Sequence, residues 1–173
     1  SLRTDGDKWQ GLFSTRNFNS FALLGMAYGL DLKKSRPFDL ILKHHHGMTH
    51  PVPPRWIDKK QAPVKQLIQR GEDVNLGLLP IFRNCDRDAR PGWMAPMWAV
   101  RDRDGRYNLS WHRSLYINDR EITIRFYPGR HLWDEFQGYM KRNEPMPAIA
   151  IVGGHHPAFS VGCGTAFNLD VDE

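Results

Sequence analysis

"YNLSWHRS", residues 107 to 114, has the tyrosine, leucine and tryptophan of a β-strand, yet it carries Asn108, His112 and Arg113 in the same run. Polar side chains on a half-buried strand cost stability unless they are paired, so each of these three needs a partner. In a regular strand Asn108 and Arg113 face opposite sides of the sheet. Either a bulge re-aims one of them or a ligand wraps the strand, and a bulge beside a site is a common device. Arg113 is then free to hold a carboxylate or phosphate through its planar fork; the plainer alternative is an edge-strand arginine paired with Glu121 across a hairpin.

Outward from this stretch, apolar runs at Trp93 to Val100, Tyr107 to Ile117, Glu121 to Tyr127 and Ala148 to Val152 are separated by turn signals. "NDR" at 118 to 120 reads as a hairpin turn, and the whole predicts an antiparallel sheet. "HLWDEFQGYMKR", 131 to 142, places Leu132, Phe136, Tyr139 and Met140 on one helical face, with Pro145 and Pro147 closing the helix. Residues 61–173 thus form a mostly antiparallel β domain with one inserted helix. Upstream, "FNSFALLGMAY", 18 to 28, reads as an amphipathic helix capped by Asn17 or Ser20 and ended by Gly29. "PFDLILKHHHGMTHPVPP", 37 to 54, reads as a short strand or helix end running into a proline-rich turn, which puts a domain boundary near residues 50 to 63.

A chain of 173 residues has room for one domain, or one and part of another. Forty per cent hydrophobic residues, with six tryptophans and nine phenylalanines, exclude a disordered chain, and no apolar run reaches the length of a membrane helix. The reading is a soluble globular protein. Cys85 and Cys163 lack paired motifs, which suits a reducing compartment, and "SLRTDGDKWQ" at the start has no signal-peptide core; a cytoplasmic location follows as the expectation. The net charge of +5 comes from interleaved charges such as "RNCDRDARPG" and "RDRDGR", so it reads as a mixed surface, part of which could meet a cofactor phosphate. A nucleic-acid module would rest on the basic pI alone.

Three groups of residues could carry chemistry. His44, His45, His46 and His50 read as a surface loop, because consecutive side chains of an extended segment diverge. Asn108, His131 and Glu173 would make a mixed, mainly hard donor set suited to Mn²⁺ or Mg²⁺, though each is equally at home as a cap, a surface group or a satisfied core residue. "IVGGHHPAFSVGCGT", 151 to 165, has glycines that could admit a ligand to the backbone or simply form a tight loop. It lacks the dinucleotide fingerprint and its following helix.

Taken in order, "APVKQLIQRGEDVNLGLLPIF" (62–82), "YNLSWHRSLYINDREITIRFYPGRH" (107–131) and "MPAIAIVGGHHPAFSVGCGT" (146–165) resemble the UbiD family of reversible decarboxylases that use prenylated FMN, and "GLFSTRNFNSFALLGMAYGL" (11–30) does so more loosely. The resemblance implies an α+β fold: a mostly antiparallel split β-barrel, flavin-reductase-like, over 61–173, preceded by part of an α/β domain over 1–60. It implies that Asn108, His131 and Glu173 bind the divalent metal, usually Mn²⁺, and that Arg113 engages the substrate carboxylate as the catalytic arginine. Ser110, Trp111, His112 and Arg130 would belong to the cofactor-binding set, with Cys163, Gly164 and Thr165 on the phosphate side near a K⁺ site.

Trp111 and His112 replace the small or aliphatic residues usual in that family strand, and Arg130 replaces a neutral one. The implied reaction is loss of CO₂ from a small aromatic or α,β-unsaturated acid, with a glutamate outside these motifs as proton donor. The acidic members of the family's Glu-Arg-Glu network fall outside this stretch, so the chain reads as a fragment or a shortened member. A homo-oligomer or a partner subunit would supply the rest and a flavin prenyltransferase the cofactor, with no nucleic acid and no membrane involved. The rival reading keeps the fold as an inactive flavin-binding subunit or a flavin reductase.

Overall fold

Ser20 opens the first helix: its Oγ accepts a hydrogen bond from the Leu23 N–H at 3.3 Å, capping α1 (Phe21–Ala27). The computed structural model describes residues 20–53, 55–79, 81, 87, 92–153 and 157–165; Asn17 and Phe18 lie outside these. Gly29, at φ +67°, ends the helical stretch.

α2 (Pro37–Thr49) decides between the strand and helix-end alternatives in favour of helix, and it corrects the surface-loop reading of the histidines, since it runs through His44, His45 and His46. Pro37 stands in the first turn, where its missing N–H costs nothing, and the Asp39 carboxylate accepts from the Arg36 N–H at 2.6 Å. Between His50 and Trp93 the described residues are irregular apart from single helical turns at Pro63–Lys65, Gly71–Asp73 and Leu76–Leu78.

Six strands make two antiparallel sheets among the described residues. β1 (Trp93–Met94), β4 (Ser114–Asn118) and β5 (Glu121–Ile122) lie in the order β1-β4-β5, and β2 (Met97–Arg101), β3 (Tyr107–Trp111) and β6 (Ala148–Ile151) in the order β3-β2-β6. The expected hairpin at 118 to 120 joins β4 to β5, with a register irregularity between Tyr116 and Asn118. Two expected single strands are each broken. Trp93 to Val100 divides at Ala95–Pro96, where proline has no N–H for a ladder, and Tyr107 to Ile117 divides at His112–Arg113. At both breaks the chain leaves one sheet for the other.

Helices cover the β3-β2-β6 sheet on both sides. Met97, Ala99 and Leu109 are buried on one face against Tyr107, Ile151 and Cys163 of α4 (Pro157–Thr165). Trp98, Val100 and Leu132 fill the other face, where α3 (His131–Lys141) packs with Ile122, Ile124, Phe126 and Met146. α1 and α2 lie against α4. Leu132 is fully buried as expected, whereas Met140 is 56% exposed. At about 100° per residue, Met140 stands some 80° round the helix from Leu132, off the buried stripe.

The glycine-rich stretch read as a loop is α4 over its second half. Gly77 shows a true close approach: a Cβ there would come within 2.9 Å of Asp119 Oδ1. That proximity lets the Leu76 N–H reach the Asp119 carbonyl at 2.8 Å and docks the 71–79 segment on the β4–β5 hairpin. No helix among the described residues is long and apolar enough to cross a membrane.

Candidate cofactor and metal site

Asn108 is the second residue of β3, opposite Val100 of β2, so its side chain shares a face with Trp98, Val100 and α3. It is buried, and its Nδ2 lies 3.4 Å from Nδ1 of His131, the first residue of α3. Turning the amide about χ2 exchanges its two polar atoms with little torsional cost and brings Oδ1 to the same point. An amide oxygen and an imidazole nitrogen are a donor pair that hard to borderline divalent cations such as Mn²⁺ accept. The described residues hold no cluster of three His, Cys, Asp or Glu side chains, and Glu173 lies outside them.

Ser110, two residues along β3, stands on the Asn108 face, and its Oγ is 3.0 Å from His112 Nε2. His112 is 4% exposed; its Nδ1 lies 3.0 Å from the Arg125 carbonyl, and the rings of Phe126 and Tyr127 flank it. Burial pushes its pKa below the ordinary histidine value, and the Arg130 charge acts in the same direction against the contrary pull of the Arg125 carbonyl. Trp111 points the other way and donates Nε1–H to the Ser160 carbonyl of α4 at 3.1 Å.

Arg113 is exposed, with its guanidinium carbon 5.6 Å from the centre of the Trp93 ring. The alternative pairing with Glu121 is not formed, because the Glu121 carboxylate accepts from Asn118 Nδ2 at 2.7 Å instead. Arg130 is the N-cap residue of α3, its exposed side chain carried at the helix entrance. The structure therefore gathers Asn108, His131, Ser110 and His112 on one side of the sheet. Cys163 is half-buried on the opposite face, and Gly164 and Thr165 complete the helix it belongs to.

The histidines at the end of α2 make local contacts: the Tyr28 hydroxyl lies 2.7 Å from His44 Nδ1, and the rings of His46 and His50 stack with centroids 4.1 Å apart. One feature had no signal in the sequence. Ser114, fully buried at the start of β4, accepts from Trp98 Nε1–H at 3.2 Å and ties the two sheets together. Serine and tryptophan sixteen positions apart belong to no local pattern.

Residues 55–173 match the family described as UbiD: 3-octaprenyl-4-hydroxybenzoate carboxy-lyase Rift-related domain. The chain is 31% identical over 103 residues to the anhydromevalonate phosphate decarboxylase of Archaeoglobus fulgidus, covering 60% of this chain and 24% of that protein. Among solved structures it is similar to the UbiD-class enzyme HmfF from Pelotomaculum thermopropionicum in complex with FMN, with a TM-score of 0.65 and 26% identity over 76% of this chain and 28% of that one. The vanillic acid decarboxylase of Sedimentibacter hydroxybenzoicus shares the fold at a TM-score of 0.69 and 20% identity, covering 78% of this chain and 29% of that one. The chain thus spans about a quarter of the length of the curated relatives it matches.

Proposed function

The chain belongs to the UbiD family, and on that footing we propose that it is the cofactor-holding part of a carboxy-lyase that removes CO₂ from an aromatic or α,β-unsaturated acid with prenylated FMN. The observation that carries this reading is the approach of Asn108 to His131 at 3.4 Å, because a likeness of fold alone says little about chemistry. Further support comes from relatives named as decarboxylases and from a neighbour whose structure holds FMN.

In this reading Asn108 and His131 hold Mn²⁺ or Mg²⁺ with Glu173 as the third protein ligand, and K⁺ binds nearby. When bound, prenylated FMN supplies the electron sink that an aryl or vinylic carboxylate lacks. Arg113 grips the substrate carboxylate with its planar fork and orients it before cleavage. The two sheets, linked by the crossings at Ala95–Pro96 and His112–Arg113, are taken as halves of a split barrel over residues 61–173, with 1–60 as a partial N-terminal α/β region. A homo-oligomer or partner subunit completes the enzyme.

Anaerobic reconstitution of the full-length protein with prenylated FMN, Mn²⁺ and K⁺, followed by a CO₂-release screen on aromatic and α,β-unsaturated acids, tests this. Turnover of at least one acid is expected, with Arg113→Lys reducing it about a hundredfold or more, because a point charge cannot replace the bidentate fork. Cofactor binding without CO₂ release from any acid would favour the flavin-binding subunit instead.

A further inference from the structure

Two residues carry the chain from one sheet to the other, and the buried ring of His112 spans that bend. Both of its nitrogens are engaged, Nδ1 with the Arg125 carbonyl and Nε2 with Ser110 Oγ, each at 3.0 Å. Arg125 also uses its N–H on the same bend, donating to the Arg113 carbonyl at 2.9 Å. The backbone donor and acceptor of one residue are thus committed to the two residues where the strand breaks.

The chemistry of these partners fixes where the protons lie. A carbonyl oxygen can only accept, so in the neutral ring Nδ1 carries the hydrogen and Nε2 is the acceptor. Ser110 must then donate its hydroxyl proton to Nε2. Its remaining lone pairs are what it offers on the face of β3 that carries Asn108.

We propose that His112 is a positioning residue: held as the Nδ1–H tautomer, it makes Ser110 a hydrogen-bond acceptor toward the ligand on the Asn108 face and sets the bend from which Arg113 departs. A ligand N–H or O–H facing Ser110 is then favoured, and a carbonyl or anionic oxygen there is disfavoured. The sequence resemblance puts His112 among the cofactor contacts, whereas this geometry has it act on the ligand through Ser110. The inference rests on the site reading given above for which ligand is bound, but the tautomer stands on the geometry alone.

Long-range ¹H–¹⁵N spectra of the imidazoles at pH 7.5, with His112 assigned through His112→Gln, read the tautomer directly. An Nδ1–H ring with an unprotonated, hydrogen-bonded Nε2 is expected; an Nε2–H ring would overturn the proposal. FMN titration of the full-length protein supplies the second readout. Ser110→Ala and His112→Phe should each weaken FMN binding by about threefold to tenfold, the range of one lost hydrogen bond, and the double variant should be no worse than the weaker single one. His112→Gln, whose amide oxygen can still take the Ser110 proton, should restore binding to within about twofold of wild type. Additive losses, or wild-type affinity in both His112→Phe and Ser110→Ala, would refute the linkage. Should the wild-type protein fail to hold FMN, the site reading and the ligand-facing role of Ser110 fall, while the tautomer spectrum still decides the hydrogen-bond direction between Ser110 and His112.

Discussion

Asn108 and His131 stand 23 residues apart in the chain, and 3.4 Å separates the amide Nδ2 of one from the imidazole Nδ1 of the other. The strand presents its amide on the face where α3 begins, so the pair closes across the sheet-to-helix seam. Asn108→Ala and His131→Ala are each expected to weaken Mn²⁺ binding by at least about tenfold to a hundredfold, a range already seen for residues that only support a ligand. Titration of the free Mn²⁺ electron paramagnetic resonance signal reads this, and unchanged affinity in both variants removes the pair from any cation site.

Leu132 neighbours His131 and is fully buried against Trp98 and Val100. Leu132→Ala should lower unfolding free energy by about 2–5 kcal/mol through lost contact and a residual cavity. It should also loosen the start of α3 and weaken Mn²⁺ binding with His131 still in place. Urea unfolding and the Mn²⁺ titration measure the two effects, and a change under about 1 kcal/mol would mean the helix is anchored elsewhere.

The Trp98–Ser114 hydrogen bond crosses between the sheets and is buried. Ser114→Ala leaves a buried indole N–H with no acceptor and is expected to cost about 1–3 kcal/mol. Urea midpoints with an unchanged slope would locate the loss in the folded state, and wild-type stability would show that the indole finds another acceptor.

His112 makes stability depend on acidity. Facing its ring are Ser110 Oγ, the Arg125 carbonyl, the rings of Phe126 and Tyr127 and, through its charge, Arg130. Burial lowers its pKa in the folded chain, so below the ordinary value of about 6.5 the unfolded chain binds more protons. The stability associated with the neutral ring is fully present above that pH and is lost as pH falls through the folded-state value. Urea unfolding between pH 8 and pH 5 should therefore show a decline that His112→Gln makes shallower; identical slopes for the two proteins would contradict it.

Much of this architecture was legible in local patterns. Ser20 as a cap, Gly29 as a stop, the hairpin at 118 to 120 and Leu132 on the inner stripe of α3 all follow from interactions within a few residues of each other. The reading failed where a local signal was ambiguous or overruled. α2 continues through the histidines because Pro37 and Asp39 secure its start, and α4 forms despite the low helix propensity of Gly162 and Gly164 within it.

The polar residues of 107 to 114 divide along the same line. Their types and spacing, and with them the family, are properties of the sequence, because side-chain chemistry and order survive in any conformation. Which of them meet was decided only by the fold: burial of Trp98, Val100 and Leu132 brings the start of α3 over β3, and the chain turns between sheets at His112. Those placements depend on apolar faces far apart in the chain finding one another, and no window of a few residues carries that information.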